Sequence, residues 1–360
     1  MGPLTSSSAS LAGWASDVRA GTMGFHALTG VANALGINVS LEDLVTVSGE
    51  AFALGWSESL SAADLTSLRR ESTWLNGARA LGMQVEIDQE KNPGLFARKV
   101  RDQLSLGRFV VAPIFDYGRL GVINWVDENM CLSAVGPDCL VSKPTPPAGD
   151  GMLRVPGGTV AVADGYAIVD VSQAAISDYG FSYDRARTMV ASYQRSQDSR
   201  WPQDAMFGVM AAEAVASVIR REMLADMDMI ARLLVFAEQT EFGFECVERW
   251  LSRQGSDGAL RRLGRQARSV RAAAGELAER LWDRNGHRSP RDLARAVTNR
   301  KSMVFEMPMD ISSQHVPGQV IELPRGRAVI VQSERRLSSL ARLADLLVTT
   351  IKNFDRQLIG

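Results

Sequence analysis

Acyl transfer by a thiol needs three groups in one place: a thiolate, an imidazole that takes and returns its proton, and an oxygen that orients the imidazole. The stretch G-T-M-G-F-H-A-L-T-G-V-A-N-A-L-G, residues 21 to 36, reads as a helix entered from a glycine-rich turn. Many thiol enzymes place the nucleophile at such a helix start, where the dipole favours the ionised sulfur. Here that place holds Met23, Gly24 and Phe25. The three cysteines are Cys131, Cys139 and Cys246, and between His26 and His287 there is no histidine. Thr29 offers an alcohol, but its far higher pKa makes a base more necessary than it is for a thiol. His26, close to where a substrate would lie, reads as a structural histidine or a lone functional one, and one imidazole is not a mechanism.

Other chemistries lack their motifs. There is no Walker loop, no G-x-G-x-x-G after a strand and no H-E-x-x-H, so no cofactor and no metal are expected. The cysteines contain no C-x-x-C pair and fit a reducing compartment; a link between Cys131 and Cys139 across the Gly136-Pro137 turn is the redox alternative. Forty basic and forty-one acidic residues leave a net charge of −1, so attraction to nucleic acid or an anionic membrane is not a whole-chain property. No interleaved aromatic pattern or zinc spacing points to nucleic-acid reading. Without an n-region or a long apolar run, the expectation is a cytoplasmic protein with no membrane partner.

The elements that would position these residues alternate in the first half. After the helix near 24 to 35, Ser40-Leu41-Glu42-Asp43 and Ser61-Ala62-Ala63-Asp64 match the capping box. Further helices are predicted over 73–81 and from Pro93 to Leu106, closed by Gly107. Strands are predicted over 85–88, 109–115, 120–126, 130–135, 159–163 and 167–171, with a surface loop at 143–151. Helices followed by consecutive strands imply an α+β class. Asp116, Tyr117, Asn124, Trp125 and Asp127 then fall at strand ends and their loop, where pocket residues commonly sit, although turn chemistry explains Asp116 and Asp127 as well.

The second half is helical. Apolar residues recur at helical spacing from Ala205 to Phe236, and strict three-four alternations run from Leu260 to Leu281 and from Leu337 to Leu358. Such heptads line coiled-coil seams, so a bundle is expected, with one seam open to a second subunit, of the same or another kind. Residues 318 to 333 read as a β-hairpin. The boundary is placed near Asp178, giving domains 20–178 and 179–360. Nine acids against three arginines in 203–248 precede fourteen basic residues against five acids in 249–301. Adjacent helices of opposite sign explain this, and the sharper alternative makes Arg261, Arg262, Arg265, Arg268 and Arg271 a surface for phosphate or an acidic partner.

The run H-A-L-T-G-V-A-N-A-L-G-I-N-V-S-L-E-D-L-V-T-V-S-G-E-A-F resembles the opening of papain-like proteins related to bacteriocin-processing cysteine peptidases and to the N-terminal domain of butirosin-biosynthesis protein H. The matching parts are Leu35-Gly36, Ile37 to Ser40 and Ser48-Gly49-Glu50-Ala51-Phe52, and the likeness extends over roughly residues 20 to 170. It implies a papain-like fold with an antiparallel sheet, a nucleophile near Met23 or Gly24, a histidine near Arg119 or Leu120, and a third partner for which Asp138 survives. The first two roles are empty, and Trp125 stands where the family often has glycine. The resemblance therefore implies a catalytically degenerate member that binds or scaffolds in a bacterial biosynthetic pathway, with a peptide, a small molecule or a pathway enzyme as partner. Its alternative is an acyltransferase or cyclase moving protons through His26, Asp116 or Asp138.

Overall fold

The computed structural model describes residues 23–35, 37–60, 65, 70–90, 92–115, 119–126, 132–135, 152–155, 158–161, 166–171, 202–221, 224–254, 258–281, 320–323, 327–331 and 334–359. They form a mixture of helices and small antiparallel sheets. Contacts divide the chain into two units: Met1–Ser48 with Glu71–Gly180, and Gly49–Arg70 with Phe181–Gly360.

In the first unit, helix α1 spans Met23–Ala34 and α2 spans Leu41–Val47. The expected capping box starts α2. Ser40 Oγ accepts from the Asp43 N–H at 3.1 Å and donates to Asp43 Oδ2 at 2.8 Å. Asn33 staples the entry to it, donating to the Val39 carbonyl and accepting from the Val39 N–H. The second capping box, at 61–64, lies outside the described residues. Helix α3, Arg70–Ala80, begins three residues before the predicted Thr73. Helix α4, Pro93–Ser105, is capped by Asn92 with proline at its first position. It ends as a Schellman turn: Gly107 adopts φ +79°, its N–H bonds Leu104 O, and Arg108 N–H bonds Gln103 O.

The unit's sheet contains β2 (Met83–Asp88), β3 (Phe109–Phe115), β4 (Arg119–Val126), β5 (Leu132–Val135) and β8 (Tyr166–Val171). Its order is β2-β8-β3-β4-β5, every pairing antiparallel. A separate hairpin joins β6 (Met152–Val155), a strand the sequence pattern did not indicate, to β7 (Gly158–Ala161). Alternation along the strands sends Val110, Ala112, Ile123 and Ile168 to one face, where they meet Phe96, Ala97, Val100 and Leu104 of α4. Helix α1 lies against β4.

The second unit holds β1 (Gly55–Trp56) paired with β9 (Met206–Phe207), then α5 (Val209–Arg221), β10 (Leu224–Asp226), α6 (Met227–Arg253), α7 (Gly258–Leu281), β11 (Val320–Leu323), β12 (Arg327–Val331) and α8 (Glu334–Ile359). The predicted hairpin is β11–β12. Strand β10 adds to its edge, with Leu224 opposite Val331 and Asp226 opposite Val329. That pairing corrects the continuous helical pattern read over 205–236, which the structure breaks into α5, β10 and the start of α6.

Helices α6 and α7 run antiparallel: Gly264 lies beside Leu251, Arg268 beside Glu248 and Gly275 beside Glu241. Helix α7 also packs on α8, and α8 on α5. Ion pairs Arg220–Asp345 and Lys352–Glu213 tie the last two, each contributing little because both partners are exposed.

One expectation is corrected here. The heptad seams are not open to a second subunit. Leu263, Ala267, Val270, Ala274, Leu277 and Leu281 are buried within the chain, as are Leu340, Ala344, Leu347, Ile351, Phe354 and Leu358. The division by contacts also differs from a single domain over 20–178, since it places Gly49–Arg70 with the second unit. Its anchor is aromatic. Phe52, in a 3-10 turn at Glu50–Phe52, stacks on Phe354 at 6.0 Å and meets Phe244 edge-on at 6.4 Å, while Phe244 meets Phe354 at 4.9 Å. Trp56 adds an edge contact to Phe236.

Candidate functional site

Helix α1 brings the first group of predicted residues together at its start, with Met23 and Gly24 as its opening residues. Phe25 is 1% exposed, so its ring is core packing rather than a free binding surface. It shares a buried helix face with Leu28 and Ala32, which follow at i+3 and i+7. His26 is half-buried. The Thr29 hydroxyl donates to the Phe25 carbonyl at 2.7 Å, the ordinary back-bond of a mid-helix threonine, and this engages the one proton an attack would have to release.

Across from α1, Asn124 and Trp125 lie on β4 at a register shift between Ile123 and Trp125. Such bulges re-aim side chains and recur beside functional sites. Asp116, Tyr117, Asp127 and Asp138 lie outside the described residues, as do Cys131 and Cys139. Cys246 is buried in α6 of the other unit. Among the described residues, no group of three His, Cys, Asp or Glu side chains comes together to hold a metal. None of the described helices is long and apolar enough to cross a membrane.

The five arginines of α7 between Arg261 and Arg271 split into two sets. Glu248 takes two of them, Arg268 Nε at 2.6 Å and Arg271 Nη1 at 3.1 Å, as expected for neighbouring helices of opposite sign. Arg261, Arg262 and Arg265 are exposed and make no ion pair among the described residues. The first turn of α7 carries no acid, although the helix dipole favours negative charge there.

One polar cluster escaped the sequence reading. Asp204 receives the Ser59 N–H at 2.9 Å, Ser59 Oγ at 2.7 Å, and Ser57 Oγ at 2.9 Å from both carboxylate oxygens. Ser57 is fully buried. Beside it Arg232 Nη1 donates to the Glu58 carbonyl at 2.6 Å. No local signal could have joined residues so far apart in the chain. Burial pushes the Asp204 carboxyl up, but the hydrogen bonds from Ser59, Ser57 and the Glu58 backbone outweigh it and hold the group below its ordinary 3.8. A carboxylate so well served is a weak base, so the cluster is a clasp on the 55–59 segment rather than a catalytic pair.

No family model matches the chain, and no curated protein matches it.

The clasp has a pH signature. A depressed folded-state pKa contributes stability that is present above the unfolded value and lost as pH falls through the folded one. Asp204→Asn is therefore expected to lower the melting temperature at pH 7. It should also flatten the loss of stability below about pH 4, where the unfolded carboxyl begins to take its proton. Thermal unfolding of both proteins between pH 7 and pH 2.5 checks this. Parallel curves would show that the clasp contributes nothing.

Proposed function

We propose that the first unit is a papain-like domain without its attacking sulfur and its proton carrier. In this reading the protein binds or scaffolds within a bacterial biosynthetic pathway, with a peptide natural product as the candidate cargo. The observation that carries the reading is the start of α1. A helix entered at Met23 and Gly24 lies against β4 of a five-stranded antiparallel sheet, with no cysteine before Cys131 in the whole sequence.

Three facts support binding over turnover. The hydroxyl nearest the helix start, that of Thr29, is bonded to the backbone. The half-buried His26 precedes a long stretch without another imidazole. Thiol chemistry needs a sulfur and an imidazole within hydrogen-bond reach, and the thiol of Cys246 is buried in a different unit.

The test is intact-mass analysis of the full chain after incubation with aryl thioester and peptide thioester probes, alongside turnover measured against buffer. The expected result is no acyl adduct and no hydrolysis above background, unchanged by iodoacetamide. An adduct that disappears in Cys131→Ala would overturn the proposal and install the acyltransferase or cyclase reading in its place.

A further inference from the structure

The outer face of α7 has a charge order that neither the bundle nor the peptidase-like reading explains. Successive residues turn about 100° around a helix, so Arg261, Arg265, Arg268, Ala272, Glu276 and Glu279 form one row opposite the buried Leu263–Ala267–Val270–Ala274 stripe. All six are exposed. The row is basic at one end and acidic at the other. Arg268 and Glu276, the nearest opposite charges along it, are separated by about 12 Å of helix rise, too far for an i,i+4 pair.

Arg261, Arg265, Glu276 and Glu279 make no ion pair among the described residues, and Arg268 is taken by Glu248. Both ends also run against the helix dipole, with arginines near the positive end and glutamates near the negative end. Within one chain this order is unfavourable. Against a second copy running the other way it is complementary throughout.

We propose that α7 is the contact helix of a two-fold homodimer. Antiparallel apposition of two α7 helices sets Arg261 opposite Glu279 and Arg265 opposite Glu276, each pair occurring twice, and lays each helix end against the opposite dipole. Residues 270 and 271 fall at the two-fold axis, so Ala272 stands where the backbones come closest. Arg268 then lies opposite Ala272 of the second copy, and its charge is already neutralised by Glu248. The contact is isologous, with the same patch on both subunits. It is polar, so it is weak and salt-sensitive. It also replaces the buried heptad seams as the route to an oligomer, and it stands independently of the reading of the first unit.

The test uses the full chain in sedimentation equilibrium. At about 50 mM salt the wild type is expected to dimerise, with the dissociation constant rising at least about fivefold at 0.5 M salt. Arg261→Glu/Arg265→Glu and Glu276→Arg/Glu279→Arg should each weaken the dimer by at least about 30-fold, since like charges then face each other. An equimolar mixture of the two should recover the dimer, because every facing pair is again opposite in sign. Ala272→Cys should give a disulfide-linked dimer on mild oxidation, while Ser252→Cys, exposed at the end of α6, should not. A wild type that stays monomeric at about 0.5 mM in low salt, or variants that fail to complement, would overturn the proposal. So would binding of a Glu-rich peptide or an oligonucleotide to the arginines of a monomer, which would assign the row to a different partner.

Discussion

Gly243→Ala is expected to destabilise the second unit by about 2 kcal/mol or more, although alanine is the better helix former. A Cβ at position 243 would lie 2.6 Å from the Ala51 carbonyl oxygen and 3.0 Å from the Ala51 Cα. Both are backbone atoms of the 3-10 turn, so no flexible side chain can swing aside. The helix gains about 1 kcal/mol from losing a glycine, and forcing the turn away costs about 3 kcal/mol. The clash wins. Gly264→Ala is the control, because its Cβ would find only Leu251 Cβ at 4.0 Å. There the propensity gain is unopposed, and stability should rise by about 0.5–1 kcal/mol. Urea unfolding of the two variants checks the pair, and equal signs would refute the close approach of α6 to the turn.

Phe52→Ala is expected to cost about 3–5 kcal/mol, the range for deleting a buried aromatic ring. The loss combines the transfer of the ring with the void left against Phe244 and Phe354, both at most 2% exposed. A matching double substitution, Phe52→Ala with Phe354→Ala, should cost clearly less than the sum of the two singles, because the second removal acts on a contact already gone. A loss below about 1 kcal/mol would mean that residues 49–60 do not complete the core of the second unit.

Local chemistry was readable and distant pairing was not. The Ser40 capping box, the Pro93 start and the Gly107 stop are each written in a few adjacent residues, and each appears where the pattern placed it. The three-four alternations of α7 and α8 were equally plain, and all the residues they marked are buried except the first of each, Leu260 and Leu337, which are half-buried. What that alternation could not say is what covers it. A stripe that fits a second subunit fits a neighbouring helix just as well, and the chain supplies its own.

Leu224-Ala225-Asp226 has no strand composition. It becomes a strand because Val329 to Val331 offer an edge, a partner no window around residue 225 contains. The Asp204 clasp and the Phe52–Phe354 stack were hidden for the same reason. The absence of a cysteine before Cys131 and of a histidine between His26 and His287 is plain from the sequence, whereas the bulge at Asn124 depends on the register between β4 and β5.

The seating of Phe52 against Phe354 has a consequence for biosynthesis. Residue 52 leaves the ribosome well before one wall of its berth, which belongs to helix α8, is made. The nascent chain therefore carries an unsatisfied aromatic segment until α8 has been made, and the second unit cannot finish folding as a contiguous block. Cutting the gene at the apparent boundary near residue 178 would orphan that segment from its core and leave the second unit incomplete.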